Sequence, residues 1–170
     1  MKVLLVVDLQ PEFRVEPEYS RLLKYIKLRK QDYALIISTV FCNEPDSMFV
    51  RYLNYTKCMT PSVSLDYKTD VVWGKFSYCA GASLYNYIEK MKPDVEVDVI
   101  GCNTDACVMA TCFELFEHNI PFNILVDFCY STCGKEIHDI AVRLMKLNFG
   151  TAVKVCDLDE LQLYVSSIEN

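Results

Sequence analysis

Residues 100–127, IGCNTDACVMATCFELFEHNIPFNILVD, read as a strand, a tight polar turn, a helix and a second strand. Asn103, Thr104 and Asp105 interrupt the apolar pattern where a turn before a helix is expected. Thr104 and Asp105 are also good helix-capping residues. We therefore predict a helix over about 104–118 with Cys107 in its first turn. Strand–helix–strand order of this kind is the building unit of a parallel sheet.

The rest of the chain repeats this alternation of buried strands and amphipathic helices. Apolar runs predict strands at about 3–7, 34–40, 71–73, 95–100, 122–126 and 152–155. Helical stripes fall between them, and the last two consist of Ile137, Ile140, Ala141 and Leu144, and of Leu161, Tyr164, Val165 and Ile168. The segment 41–70 keeps no period for long, so it is either a functional loop or contains short elements that its pattern does not reveal.

These elements predict one α/β domain that covers residues 1–170. Six strands alternating with helices are typical of a single-domain, three-layer doubly wound fold with a six-stranded parallel sheet. We expect the strand order 3-2-1-4-5-6, in which the first and fourth strands are neighbours.

Composition excludes several classes of protein. The chain is 52% hydrophobic and 24% charged, as in globular proteins, and its formal charge of −6 argues against nucleic-acid or anionic-membrane partners. The first apolar run has five residues, too few for an export signal or a membrane span. The nine cysteines are odd in number and contain no CxxC, which favours reduced thiols in the cytoplasm over disulfides or a zinc site. His118 and His138 are too few for a histidine metal cluster.

Three reactive side chains follow predicted strands. Asp8 comes after the first strand, Lys75 after the third and Cys107 after the fourth. Ligands of doubly wound sheets bind at the carboxyl ends of the strands, where the strand order reverses. In the expected order this point lies between Asp8 and Cys107. We therefore predict that the three side chains meet in one site.

Their chemistry suits nucleophilic catalysis. The start of a helix favours a thiolate, so Cys107 is a candidate nucleophile. Asp8 could accept the thiol proton, Lys75 could hold the thiolate, and the backbone N–H groups of Asn103 and Cys107 could bind an oxyanion. Each residue also has a plain structural interpretation: Cys107 as a small packing residue, Asp8 as a cap and Lys75 as a surface lysine.

Three motifs resemble those of the isochorismatase-like cysteine hydrolases, which include isochorismatases, nicotinamidases and carbamoylsarcosine amidases. They are VVDLQPEF at 6–13, WGKFS at 73–77 and GCNTDACVMAT at 101–111. The resemblance spans nearly the whole chain. It implies a triad of Asp8, Lys75 and Cys107, an oxyanion hole at Asn103 and Cys107, and a cis peptide bond between Cys102 and Asn103. It also implies a homo-oligomer, a dimer or larger.

The pocket and the substrate are less well defined by this resemblance. It places Phe13 near the substrate; Trp73 is a further candidate for the pocket, and Phe128 is expected to narrow it. In the 41–70 segment Phe49, Tyr52, Tyr55 and Tyr67 either line the pocket or pack the segment onto the sheet or another subunit. Asn119 replaces a glycine at a helix end, where asparagine accepts the left-handed conformation.

Nicotinamidases carry an Asp-x-His metal motif after the second strand. Residues 38–45, STVFCNEP, contain no histidine, so we expect no metal and no cofactor.

The expected activity is hydrolysis of a small amide, imide or carbamoyl substrate through a thioester at Cys107. One alternative is hydrolysis of a vinyl ether of the isochorismatase type, in which the acid and the lysine matter more than the cysteine. A second is a non-catalytic protein that binds a small molecule in the same pocket. A third is a thiol redox protein, which predicts reversible pairing of Cys129 with Cys133 or of Cys107 with a neighbouring cysteine.

Overall fold

The computed structural model describes residues 1–60, 64–91 and 93–165. Its six strands form one parallel sheet in the order 3-2-1-4-5-6, which confirms the predicted architecture. The strands are β1 Lys2–Val7, β2 Leu35–Phe41, β3 Val71–Lys75, β4 Glu96–Cys102, β5 Phe122–Tyr130 and β6 Val153–Lys154.

The helices of the described residues cover both faces of the sheet. They are α1 Glu18–Arg29, α2 Met48–Leu53, α3 Ala82–Glu89, α4 Met109–Glu117, α5 Lys135–Phe149 and α6 Leu158–Val165. The 41–70 segment therefore contains one short helix, α2, while its residues 61–63 lie outside the described part. Ile168 of the last predicted stripe also lies outside it. None of these helices has both the length and the apolar composition that crossing a bilayer requires.

Buried strand β1 separates two hydrophobic layers. Val3, Leu5 and Val7 belong to the layer that contains residues of α3, α4 and α5, whereas Leu4 and Val6 belong to the layer that contains residues of α1 and α6. Successive side chains of a strand point to opposite faces, so a run of five apolar residues supplies both layers. The predicted three-layer arrangement follows directly from this pattern.

The buried face of α5 differs from the predicted stripe. Ala141 is buried, but Ile140 and Leu144 are 43% and 45% exposed, and the helix packs instead through Met145 and Phe149. Ala141, Met145 and Phe149 recur every four residues and form their own helical face. Because α5 carries apolar residues on two adjoining faces, periodicity alone does not identify the one that meets the sheet.

Close approach of β1 and β4 shapes the carboxyl edge of the sheet. Val7 is the register partner of Gly101, whose φ is 130°. A Cβ atom at position 101 would lie 2.1 Å from the carbonyl oxygen of Val7, so only glycine fits there. The peptide bond between Cys102 and Asn103, just after this glycine, is cis, as the resemblance implies. These contacts bring the turn after β4 beside Asp8.

Candidate active site

Asp8, Lys75 and Cys107 meet at the carboxyl edge of the sheet. Nζ of Lys75 lies 2.8 Å from Oδ2 of Asp8 and 3.3 Å from Sγ of Cys107. All three residues are nearly inaccessible, with exposed fractions of 0%, 2% and 8% for Asp8, Lys75 and Cys107. The lysine therefore bridges the carboxylate and the thiol in a buried, polar cluster.

Thr39 holds Asp8 in position. Its hydroxyl accepts a hydrogen bond from the backbone N–H of Asp8 at 3.1 Å and donates one to Oδ1 at 2.7 Å. Asp8 itself has a φ of 48°, which turns the chain sharply at the end of β1. One carboxylate oxygen is thus bound by Thr39 while the other faces Lys75. Sequence analysis missed Thr39, although it lies near the end of β2, beside β1 in the predicted sheet.

Lys75 is held as an ammonium group by several partners. Nζ donates to the carbonyl oxygens of Ser77 and Tyr78 at 2.8 and 3.1 Å. Burial acts to lower the pKa of Lys75, but the charges and hydrogen bonds of Asp8 and Cys107 outweigh it and raise the pKa above its usual value. Lys75 therefore stays protonated at neutral pH.

The surroundings of Cys107 favour the neutral thiol. Burial raises its pKa well above the ordinary value and the charge of Asp8 raises it further, while Lys75 only partly opposes them. The expectation that the helix start would favour a thiolate is thus not met. Desolvation disfavours the charged form, and here it outweighs the favourable position at the turn. Ionisation of Cys107 then requires transfer of its proton.

The turn that carries Cys107 is a single π-helical turn, Thr104–Val108, that precedes α4. Asn103 caps it: its carbonyl oxygen accepts from the N–H groups of Ala106 and Val108 at 3.1 and 3.0 Å. The predicted caps act differently. Thr104 pairs with Nδ1 of His138 at 2.8 Å, and the helix start has no side-chain cap bond.

A cavity of about 290 Å³ opens beside Cys107. Five of its lining residues form what we call the aromatic wall: Phe13, Phe41, Phe49, Tyr55 and Tyr78. Their rings make a continuous series, with centroids 6.5 Å apart for Tyr55 and Phe13, 6.5 Å for Phe13 and Phe41, 4.8 Å for Phe41 and Phe49, and 4.8 Å for Phe49 and Tyr78. The other lining residues are Glu12, Leu53, Lys57, Asn103, Asp105, Ala106, Cys107, Thr132 and Cys133.

The wall includes three residues that the sequence suggested and two that it missed. Phe13, Phe49 and Tyr55 are among the sequence candidates, whereas Phe41 and Tyr78 are not. A signal for both exists in the chain: Phe41 ends β2 at the same sheet edge, and Tyr78 follows Lys75 by three residues. Asn103 and Cys107, the candidates for the oxyanion hole, also line the cavity.

Other candidates lie away from the cavity. Phe128 is fully buried against the rings of Tyr25 and Tyr164, at centroid distances of 4.1 and 5.1 Å, so it packs α1 and α6 instead of narrowing the pocket. Trp73 packs toward Tyr87 of α3, with ring centroids 6.0 Å apart. The structure therefore does not bring Trp73 or Phe128 to the site.

The two remaining aromatics of the 41–70 segment also have other surroundings. Tyr52 is 80% exposed, and Tyr67 donates a hydrogen bond to Ser38 while packing on the sheet. Phe49 and Tyr55 thus line the pocket, whereas Tyr67 packs the segment onto the sheet, so both roles predicted for these aromatics occur.

All nine cysteines are free thiols. Cys129 is buried in β5 and donates to the carbonyl oxygen of Leu125, whereas Cys133 is exposed at the cavity. Burial raises the pKa of Cys129 to about 12, which keeps it as an unreactive thiol. This environment gives no support to a redox pair of Cys129 with Cys133.

The comparisons with known proteins agree with this fold. A family model for the isochorismatase domain matches residues 2–157, so the chain belongs to the isochorismatase family. No curated protein shows significant sequence similarity to it.

Solved structures extend this likeness at low sequence identity. A pyrazinamidase of Pyrococcus horikoshii in complex with zinc is 20% identical, with a TM-score of 0.73 over 92% of this chain and 99% of that one. An isochorismatase-like hydrolase of Alkaliphilus metalliredigens is 15% identical, with a TM-score of 0.74 over 98% of each chain. An N-carbamoylsarcosine amidase of Thermoplasma acidophilum is 20% identical, with a TM-score of 0.69 over 91% of this chain and 94% of that one.

The residues after β2 do not fit a metal site. Asn43 donates through Nδ2 to the carbonyl oxygens of Tyr55 and Lys57, at 2.8 and 3.2 Å, and accepts through Oδ1 from the hydroxyl of Ser47. Its polar groups are thus used to fold the loop. In residues 1–60, 64–91 and 93–165, no three His, Cys, Asp or Glu side chains converge as metal ligands would.

Proposed function

We propose that this protein is a cysteine hydrolase of small amide, imide or carbamoyl compounds. One observation carries the proposal: Nζ of Lys75 contacts both Asp8 and Cys107, and Cys107 lines a cavity of small-molecule size. A nucleophile, a proton acceptor and a cation within contact distance are the parts that acyl transfer needs. The free cysteines suit a reducing compartment such as the cytoplasm.

The acylation step begins with the neutral thiol. As Sγ of Cys107 attacks the substrate carbonyl carbon, the thiol proton passes to the carboxylate of Asp8, and the carbonyl oxygen becomes an oxyanion. We assign the stabilisation of that oxyanion to the backbone N–H groups of Asn103 and Cys107. The C–N bond then breaks, the proton moves from Asp8 to the leaving nitrogen, and a thioester remains on Cys107.

Hydrolysis of the thioester reverses the proton path. Asp8 takes a proton from a water molecule as the water oxygen attacks the thioester carbon, and the C–S bond then breaks. The departing sulfur recovers the proton, which returns Cys107 to the thiol. The ammonium of Lys75 stabilises the developing thiolate in both steps, and Thr39 keeps the carboxylate of Asp8 aimed at the reacting groups.

Vinyl-ether hydrolysis is the second candidate. It is favoured by the protonated state of Cys107, because that reaction needs an acid and a cation more than a thiolate. It predicts activity that survives removal of the sulfur.

The test is a panel of small aromatic, aliphatic, carbamoyl and cyclic imide substrates, with ammonia or amine release as the readout, together with a vinyl ether whose cleavage is followed by chromatography. We expect turnover by the native protein, an acyl adduct on Cys107 by mass spectrometry, and a loss of at least about 10³-fold in Cys107→Ala. Cys156→Ala, which lies outside the cavity, is the matched control and should retain activity. Full activity in Cys107→Ala, or cleavage of a vinyl ether alone, would contradict the proposal.

A further inference from the structure

Asp105 presents an unused hydrogen-bond acceptor in the turn that carries Cys107. Its Oδ1 atom is buried and has no hydrogen-bond partner among the described residues. Asp105 also lines the cavity, two residues ahead of Cys107. The partnerless Oδ1 leaves this carboxylate short of a hydrogen bond, so a donor that reaches the carboxylate from the cavity offsets part of that loss.

The neighbouring ammonium group does not supply this partner. Lys75 is engaged by Asp8, by Cys107 and by the carbonyl oxygens of Ser77 and Tyr78. The negative charge of Asp105 instead reaches the cavity. Asp105 and Tyr78 line the same cavity. Burial raises the pKa of Tyr78, and the charge of Asp105 raises it further.

The aromatic wall favours the same type of ligand as Asp105 does. Aromatic faces attract cations and stack on flat rings, and Nζ of Lys75 already lies 5.5 Å from the ring centroid of Phe41. A second carboxylate, Glu12, also lines the cavity, and among the described residues the ammonium in the lining is that of exposed Lys57. The lining therefore carries more negative than positive charge, which disfavours anionic ligands.

We propose that the cavity selects a flat amide whose far end carries a cationic or N–H-donating group, and that Asp105 recognises this group. The scissile carbonyl would then lie at Cys107, the ring along the aromatic wall, and the donor at the carboxylate of Asp105. The position of the carbonyl rests on the proposed hydrolase function, but the preference for a cation concerns binding and does not require turnover. Asp105 is a specificity residue in this proposal and has no role in bond cleavage.

The test measures binding without catalysis. Cys107→Ala is titrated calorimetrically with three benzamides that differ only in the para substituent: aminomethyl, methyl and carboxylate. We expect the aminomethyl compound to bind most tightly and the carboxylate most weakly. Adding Asp105→Asn should weaken binding of the aminomethyl compound by about tenfold or more and leave the methyl compound nearly unchanged, because only the cation uses the charge.

Two controls separate this local effect from a change in net charge or in folding. Glu136→Gln removes an exposed carboxylate of α5 that does not line the cavity, and it should not change the order of the three compounds. Asp105→Glu keeps the charge and should retain the preference for the aminomethyl compound. Thermal unfolding of each variant shows whether it is folded.

Two results would overturn the inference. One is tighter binding of the carboxylate compound than of the aminomethyl compound. The other is an unchanged preference for the aminomethyl compound when Asp105→Asn is added to Cys107→Ala. The absence of measurable binding by all three compounds at millimolar concentration would also count against it. A cation preference that depends on Asp105, without turnover of any amide by the native protein, would uphold the inference and reject the hydrolase proposal.

Discussion

The cavity has two sides that are built in different ways. The catalytic side is the lining at Cys107 with Lys75 and Asp8 behind it, and these three residues are nearly inaccessible and held by short polar contacts. The other side, the aromatic wall, takes Phe49 and Tyr55 from the 41–70 segment and is held by ring contacts. Polar contacts fix atoms to within a few tenths of an ångström, whereas ring contacts tolerate exchange of one apolar group for another. We therefore expect changes on the catalytic side to alter kcat and changes on the wall to alter KM.

The largest expected effect is that of Asp8→Asn. The amide keeps the shape of the carboxylate and can still accept from Thr39, but it cannot take the proton of Cys107. We expect kcat to fall by about 10²- to 10⁴-fold while KM changes little. Steady-state and single-turnover rates measure this change. Activity within threefold of the native protein would show that Asp8 is not the base.

The same substitution has a cost in stability, which the kinetic assay has to take into account. Loss of the carboxylate leaves the ammonium of Lys75 buried without its counter-charge, and breaking such a pair costs about 3–5 kcal/mol. Thermal unfolding should therefore precede the assay. Rates are then compared at a temperature at which both proteins are fully folded.

A smaller effect is expected for the reactivity of Cys107 toward an alkylating agent. Because burial and Asp8 raise the pKa of this thiol, its reaction should have a midpoint above the ~8.5 of a free thiol. At pH 7.5 it should then react at least about tenfold more slowly than exposed Cys133. Site-resolved mass spectrometry across the pH range tests both statements.

Lys75→Met sharpens this measurement. The cation lowers the pKa of Cys107, so its removal should shift the midpoint upward. The raised pKa of Cys107 in the native protein also affects stability. Above about pH 8.5 the thiol ionises in the unfolded chain but not yet in the folded protein, so the free energy of unfolding falls as the pH rises further. If the alkylation midpoint of Cys107 in the native protein lies below that of a free thiol, Cys107 is instead a thiolate at rest.

The smallest expected effect concerns the aromatic wall. Phe49 lies edge-on to Phe41 and Tyr78, with centroid distances of 4.8 Å to each. Phe49→Leu should raise KM by about 2- to 12-fold, the equivalent of roughly 0.5–1.5 kcal/mol for an aromatic contact, and leave kcat unchanged. Tyr52→Leu is the matched control because Tyr52 is 80% exposed on the same helix. Equal effects of the two substitutions, or a fall in kcat for Phe49→Leu, would contradict the division between the two sides.

The catalytic side could be predicted because parallel strands end at one edge. Once the apolar runs before Asp8 and Lys75 are recognised, the strand order places Asp8 beside Cys107 and puts Lys75 at the same sheet edge, from which its long side chain reaches both. The ionisation of Cys107 could not be predicted in this way. It depends on how completely neighbouring elements exclude water, and local sequence carries no measure of that exclusion.

The aromatic residues were harder to assign for a geometric reason. The pattern predicts that the fifth strand ends at Val126, which would put Phe128 beyond the sheet and near the pocket. In the structure β5 continues to Tyr130, and the alternation of side chains turns Phe128 into the core beside α1. The wall itself comes from separate parts of the chain, and only tertiary packing brings their rings together.

Gly101 has a consequence for how the specificity of this protein can be redesigned. Any side chain there would collide with the backbone of Val7, so the spacing between the two catalytic strand ends is fixed by main-chain contact. A directed-evolution library should therefore leave position 101 constant and vary Phe49, Tyr55 and Tyr78 instead. New substrates would then be sought on the side of the cavity that tolerates exchange, while the reactive groups keep their separation.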